Sequence, residues 1–203
     1  MQIVVLTDEK LREELTGKGV SETADLVWIT EPKDFLLYKN ATAFIDLLFV
    51  KETERINLLK SFLPQLVIIN SVEHTLAESD NAFVRINGWY SFLRSPLVEA
   101  SGDPQLRPRT EEIFSLFNRT IEWLPDEPGF VTARVVSMII NEAHHALSEG
   151  VSTTQEIDIA MQLGTNYPYG PFRWAEEIGT AKVRSLLTAL ARHRSRYQPS
   201  SLL

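Results

Sequence analysis

Cysteine is absent from these 203 residues. That removes disulfides, thiol catalysis and zinc–thiolate sites. No apolar run approaches the roughly 18 residues that would span a bilayer, so no membrane partner is expected. The chain opens directly on a strand-like run, Gln2 to Leu6, rather than on a basic-then-apolar leader. A cytoplasmic location is the corresponding expectation. Positive charge is in deficit, with a formal net charge of −7, which argues against nucleic acid as the main partner. There is no HExxH, P-loop or nucleophile elbow. Of the four histidines, His144 and His145 are adjacent and so face different directions on a helix. They cannot form an i, i+4 metal pair, and no metal site is expected.

What is present is a soluble, globular composition, 44% hydrophobic, of a size for one large or two small domains. The first half alternates short β-rich runs with helical segments. Ile3-Val4-Val5-Leu6, Leu26-Val27-Trp28-Ile29, Ala43 to Phe49 and Val67-Ile68-Ile69 read as strands. Glu9 to Leu15 and Lys51 to Phe62 read as helices between them. Continuous apolar runs bounded by turn residues predict strands buried on both faces, and the alternation predicts βαβ units with a mostly parallel sheet. Phe83 to Ile86, Pro96 to Ala100 and Thr120 to Leu124 are further strand candidates, and Arg107 to Asn118 is a helix. A boundary is expected at Pro125-Asp126-Glu127-Pro128, dividing an α/β domain, residues 1–125, from an all-helical domain, residues 126–203. In the second domain Ile139, Ala143, Ala146 and Leu147, and later Val183, Leu186, Leu187 and Leu190, recur at helical spacing. The tail from Ser195 is expected to fray.

Residues 128–179 are the most informative stretch. Pro128 and Gly129 are read as opening a long amphipathic helix that Gly150 closes. Thr153 to Glu156 has the spacing of a capping box, and Gly164 is read as the end of the helix it starts. Tyr167-Pro168-Tyr169-Gly170-Pro171 reads as a rigid turn, with Pro171 at the first position of a third helix. This succession resembles the C-terminal domain of the 3-hydroxyacyl-CoA dehydrogenases. Members carry PGF-x-x-N-R, an EA pair (here Asn141-Glu142-Ala143), EG-V/A (Glu149-Gly150-Val151), a DID-like acidic helix (Glu156-Ile157-Asp158) and a YPMGPF-like turn (Tyr167 to Phe172). Upstream, Ala43 to Ser71 resembles the family's third strand, helix and fourth strand, and Leu97-Val98-Glu99 its LVE. The resemblance implies a Rossmann-like N-terminal domain, an all-α C-terminal domain and a homodimer formed through the latter. Apolar Val135, Met138 and Ile139 suit either that interface or an intramolecular core.

The family's chemistry is NAD-dependent oxidation of a 3-hydroxyacyl thioester. It needs a dinucleotide site, a base for the hydroxyl proton, and donors at the reacting carbonyl. A dinucleotide site needs glycines after the first strand, so that backbone can approach the pyrophosphate at a helix N-terminus. Here that strand runs into Thr7-Asp8-Glu9-Lys10, and no glycine appears before Gly17. Thr7 and, after the second strand, Glu31 are the remaining cofactor-site candidates. The family base is a His oriented by the Glu of LVE. Glu99 is that Glu, and ungapped alignment from it places Asn87 at the His position, within Arg85-Ile86-Asn87-Gly88-Trp89-Tyr90. The family's catalytic Ser falls on Val72, next to Asn70-Ser71, and its Asn on Ala133. The helical excursion associated with CoA binding is reduced to about ten residues, Glu31 to Asn40. His74, beside Glu73, is a candidate for a relocated base. The basic run Lys182, Arg184, Arg192, Arg194 and Arg196 reads as a solvated helix end complementing the macrodipole, or else as a site for an acidic ligand such as a CoA phosphate.

Two readings follow. In the first the scaffold is kept without dehydrogenase turnover, no cofactor is expected, and the role is binding of an acyl-CoA or a protein partner. In the alternative the protein is an active NAD-dependent oxidoreductase of 3-hydroxyacyl-CoA or a related hydroxy acid.

Overall fold

The computed structural model describes residues 1–203, which form two compact units, Met1–Phe130 and Val131–Leu203. No helix is long and apolar enough to cross a membrane.

The first unit is built on seven strands: β1 (Gln2–Leu6), β2 (Asp25–Ile29), β3 (Ala43–Asp46), β4 (Leu66–Asn70), β5 (Val84–Ile86), β6 (Leu97–Ser101) and β7 (Thr120–Trp123). Their order across the sheet is β2-β1-β3-β4-β5-β6-β7. The first five run parallel, β6 is antiparallel to β5, and β7 is parallel to β6. The alternating side chains of β1 explain why its run is apolar throughout. Ile3 and Val5 pack with Leu11 and Leu15 of α1 (Glu9–Thr16) and with Ile113 and Phe114 of a later helix, Arg107–Ser115. Val4 and Leu6 face the opposite side, with Leu59, Phe62, Phe35 and Phe44. Both faces are therefore covered, as a parallel sheet requires.

The third strand is shorter than the apolar run Ala43 to Phe49 suggested. It stops at Asp46 because that carboxylate turns the chain: it accepts from Leu48 N at 3.1 Å and from Arg55 Nε at 2.7 Å. Arg55 belongs to α2 (Thr53–Lys60), which is correspondingly shorter than the expected helix. Asp46 is fully buried, and burial raises its carboxyl from the ordinary 3.8 to about 6, with Arg55 pulling the other way.

Arg85, also fully buried, gathers the end of this unit. It donates to Asp126, to Ser71 O at 3.1 Å and to Glu127 O at 2.6 Å, and its guanidinium lies 4.0 Å from the ring centroid of Phe130. Gly129 N donates to Val72 O at 2.8 Å. Pro128 and Gly129 thus do not open the long helix. Gly129 and Phe130 take positive φ values, 85° and 47°, in a turn pinned to the sheet, and the helix starts at Thr132.

The second unit contains four helices, whose ranges are Thr132–Ser148, Thr154–Thr165, Pro171–Ile178 and Thr180–Ala191. They are called α4, α5, α6 and α7 in that order, with Arg107–Ser115 as α3. The capping box forms: Glu156 N donates to the Thr153 hydroxyl, and the Glu156 carboxylate accepts from Thr153 N. Gly164 does not end α5. The helix runs through it to Asn166, whose φ of 58° supplies the left-handed cap. Pro171 is the first residue of α6, as its missing N–H allows. That helix is capped from outside, since Asp158 of α5 accepts from Phe172 N at 2.8 Å and Arg173 N at 3.0 Å. A Cβ at Gly170 would lie 2.3–2.4 Å from Asp158, so the glycine is what permits the approach. The acidic helix and the YPYGPF turn are therefore one device.

The tail is not frayed. Asn141 of α4 donates to Gln198 O at 3.0 Å and accepts from Ser200 N at 2.8 Å, and Tyr197 and Leu203 are buried. The frayed expectation rested on polarity and position alone, and a single buried amide in another helix overrides both.

Two outcomes are expected. Gly170→Ala destabilises the second unit by at least ~2 kcal/mol through the clash, and Asp158→Ala by about 1 kcal/mol through the lost cap; urea unfolding of both variants measures the order. Asp46 holds its proton to higher pH in the folded protein than in the unfolded chain. The folded state then binds the extra proton between 3.8 and about 6, and stability falls as pH rises through that window. Relative to Asp46→Asn, the wild type should lose roughly 1–3 kcal/mol between the low and high sides of it, read by urea unfolding at each pH.

Candidate functional site

The carboxyl ends of β4 and β5 and the facing part of β6 bring the candidate residues of the first unit together. The β5–β6 pairing continues past Ile86, with Asn87 N donating to Glu99 O at 2.9 Å. On the same register the side chains meet: Asn87 Nδ2 donates to Glu99 Oε2 at 2.9 Å, and both residues are buried. The pair expected from alignment is thus a real contact. Its chemistry differs from that of an imidazole and a carboxylate. An amide NH₂ is a donor that cannot take up a proton near neutral pH, so Glu99 is held by a neutral partner.

Asn70, at the end of β4, has an architectural task. Its Nδ2 donates to Leu47 O at 3.0 Å and Gly88 O at 2.9 Å, and its Oδ1 accepts from Gly88 N at 2.9 Å. One side chain clamps the segments that follow β3 and β5. A Cβ at Gly88 would come within 2.8 Å of that side chain. Ser71 donates its hydroxyl to His74 O at 3.1 Å, and Val72 is fully buried and apolar. Neither offers a hydroxyl beside Asn87. In the second unit Ala133 is fully buried in α4 and carries no polar group.

His74 sits in the turn after β4, about a third exposed, with Nδ1 3.6 Å from Glu78 Oε1. Glu78 also holds Lys51 Nζ at 3.0 Å, so the imidazole lies beside a surface ion pair. Glu31 is exposed ahead of Pro32 and makes no side-chain cap. Thr7 is buried, with its hydroxyl donating to Asp8 O at 3.0 Å.

The β1–α1 turn is where a dinucleotide's phosphates would meet the backbone in a Rossmann-like domain. Asp8 is the N-cap of α1, accepting from Leu11 N at 2.8 Å. Its other oxygen accepts the hydroxyl of Tyr90, from the loop after β5. Burial foremost, and then the Asp8 carboxylate, push the Tyr90 phenol well above its ordinary value, so it stays a donor. Lys10 Nζ stacks 4.2 Å from the Tyr90 ring centroid. The electropositive helix end that would receive a pyrophosphate is therefore already satisfied by a carboxylate. With no glycine in the turn, the residues present do not fit the phosphates of NAD. The Asp8–Tyr90 contact joins positions far apart in the chain, which no local sequence pattern marks.

Comparison with known proteins agrees with this architecture. The profile of the 3-hydroxyacyl-CoA dehydrogenase C-terminal domain matches residues 129–203. A 3-hydroxyadipyl-CoA dehydrogenase of Escherichia coli (strain K12) is 47% identical over 87 residues, 42% of this chain and 18% of that protein. The mitochondrial hydroxyacyl-coenzyme A dehydrogenase of Sus scrofa is 28% identical over 178 residues, 82% of this chain and 55% of that protein. The chain thus spans about half the length, or less, of these curated relatives. A crystal structure of (S)-3-hydroxybutyryl-CoA dehydrogenase from Ralstonia eutropha superposes with a TM-score of 0.73 at 18% identity, over 99% of this chain and 91% of that one, a likeness of fold. A mostly parallel Rossmann-like sheet followed by a helical domain is the fold of the 3-hydroxyacyl-CoA dehydrogenases, and residues 129–203 of this chain match the C-terminal domain of that family.

Proposed function

We propose that this protein keeps the family scaffold without dehydrogenase turnover and acts by binding, with an acyl-CoA or a protein as partner. The observation that carries this reading is the Asn87–Glu99 hydrogen bond. A hydroxyl cannot lose its proton to an amide, and at that position Glu99 accepts from an amide where the family has an imidazole. Two further features support it. Asp8 fills the end of α1 where phosphate would dock, and Val72 and Ala133 bring no donors. A second reading, an active NAD-dependent oxidoreductase of a 3-hydroxyacyl-CoA or related hydroxy acid, is favoured by the buried Glu99 in its family place and by the dehydrogenase names of the relatives. It needs a base from elsewhere, with His74 the candidate, and a cofactor contact such as Glu31.

Calorimetric titration with NADH and then with acetoacetyl-CoA separates the two. No NADH binding at millimolar ligand is expected, and micromolar binding would bring the oxidoreductase reading forward. Asn87→His alone is expected to yield no NADH from a 3-hydroxyacyl-CoA, because the turn at Asp8 and the positions of Val72 and Ala133 are unchanged. Measurable turnover in that single variant would sink the proposal.

We further propose a homodimer through the second unit. α5 has no buried residue although it carries Ile157, Ile159, Met161 and Leu163. Leu163 is 83% exposed and Val151, just before the helix, 68%. Ile159, 48% exposed, and Leu163 stand at i, i+4 spacing, and this exposed apolar stripe marks an association surface. Sedimentation should give a dimer at micromolar concentration, shifted toward monomer by Leu163→Glu. A monomeric wild type refutes it.

A further inference from the structure

Acidic and basic residues are not mixed evenly along this chain. All 27 Asp and Glu precede residue 178, whereas the last 26 residues carry five Lys or Arg and no carboxylate side chain. In the folded second unit this segregation becomes a place. Arg184, Thr188 and Arg192 share one face of α7 at i, i+4 and i+8 spacing. With Ala191 and with Gln198 and Pro199 of the tail, they line an open groove of about 490 Å³. The far wall is fixed, because Asn141 holds the backbone on both sides of Pro199.

Neither groove arginine is paired with a carboxylate. The nearest acids in sequence, Glu176 and Glu177, are already taken by Arg173. The helix dipole accounts for Arg192, which is the C-cap of α7. It does not account for Arg184, which lies in the N-terminal half of the same helix, where a cation gains nothing from it. The two guanidinium groups make this groove a local positive patch on a protein of net charge −7.

We propose that this groove binds a phosphoryl ligand. Guanidinium forks match the oxygens of a phosphate with paired N–H donors. The two arginines leave the helix about 12 Å apart along its axis and are long enough to close on a compact polyanion from both ends. Small apolar flanks at Ala191 and Pro199 leave room for more than the phosphate itself. The chemistry fits either free pyrophosphate or the diphosphate of a nucleotide. It does not depend on the reading of the first unit, whose residues lie elsewhere in the chain.

The test is calorimetric titration of the whole protein with inorganic pyrophosphate and, separately, with ADP, at about 20 mM salt so that screening is weak. Saturable binding is expected, weakened at least about tenfold in Arg184→Gln/Arg192→Gln. Both residues are exposed, and an unchanged thermal melt verifies that the variant is folded. Single Arg184→Lys and Arg192→Lys variants, which keep the charge but lose the fork, should fall between. Tighter binding of ADP than of pyrophosphate identifies a nucleotide as the source, and equal binding identifies the phosphate alone. The proposal is overturned if neither ligand saturates, or if the double variant binds as the wild type does.

Discussion

A buried guanidinium holds the first unit's end in place. Arg85 has no exposure, and its charge is met by one carboxylate, two backbone carbonyls and an aromatic face. An unpaired charge at that depth is strongly unfavourable, so its partners Asp126, Glu127 and Phe130 are constrained to one arrangement. The positive φ at Gly129 and Phe130 follows from that requirement. So does the position at which the first compact unit ends, a few residues beyond the Pro-rich boundary that composition marks.

The site of this unit is organised by the same economy of polar groups. Asn87, Glu99, Asn70, Asp8 and Tyr90 are each engaged with a partner inside the protein. Asn87 and Glu99 bond to each other, and Val72 and Ala133 pack as apolar side chains. The fold survives such exchanges because an Asn–Glu bond ties β5 to β6 as well as an imidazole would.

Much of this was legible in the sequence where the signal was local. The apolar runs of β1 and β4 announced burial on both faces. Thr153 with Glu156 announced a helix start, and Pro171 another. Asn87 follows from an ungapped alignment from Glu99, Val72 from the run after Asn70-Ser71 and Ala133 from PGF-x-x-N-R, and the structure brings Asn87 and Glu99 together. What stayed hidden was long-range. Asp46 stops β3 by pairing with a residue on the next helix. Asp158 caps a helix that begins thirteen residues later. Asn141 docks a tail whose polar composition reads as loose. Gly164 was a plausible stop, but the left-handed cap fell to Asn166, a choice that backbone geometry makes and composition does not.

The clamp between Asn70 and Gly88 has a consequence for how this chain can change over time. Any side chain at 88 collides with Asn70, and any smaller residue at 70 abandons its bonds to Leu47 and Gly88. Neither position has a neutral first step, so each shields the other from drift. Asn87 lies between these linked positions and Glu99, and its own backbone is paired to β6. Backbone pairing thus fixes the Cα of residue 87, while the bond to Glu99 rests on its side chain. A substitution at 87 therefore changes the chemistry at that point of the sheet without moving the point itself.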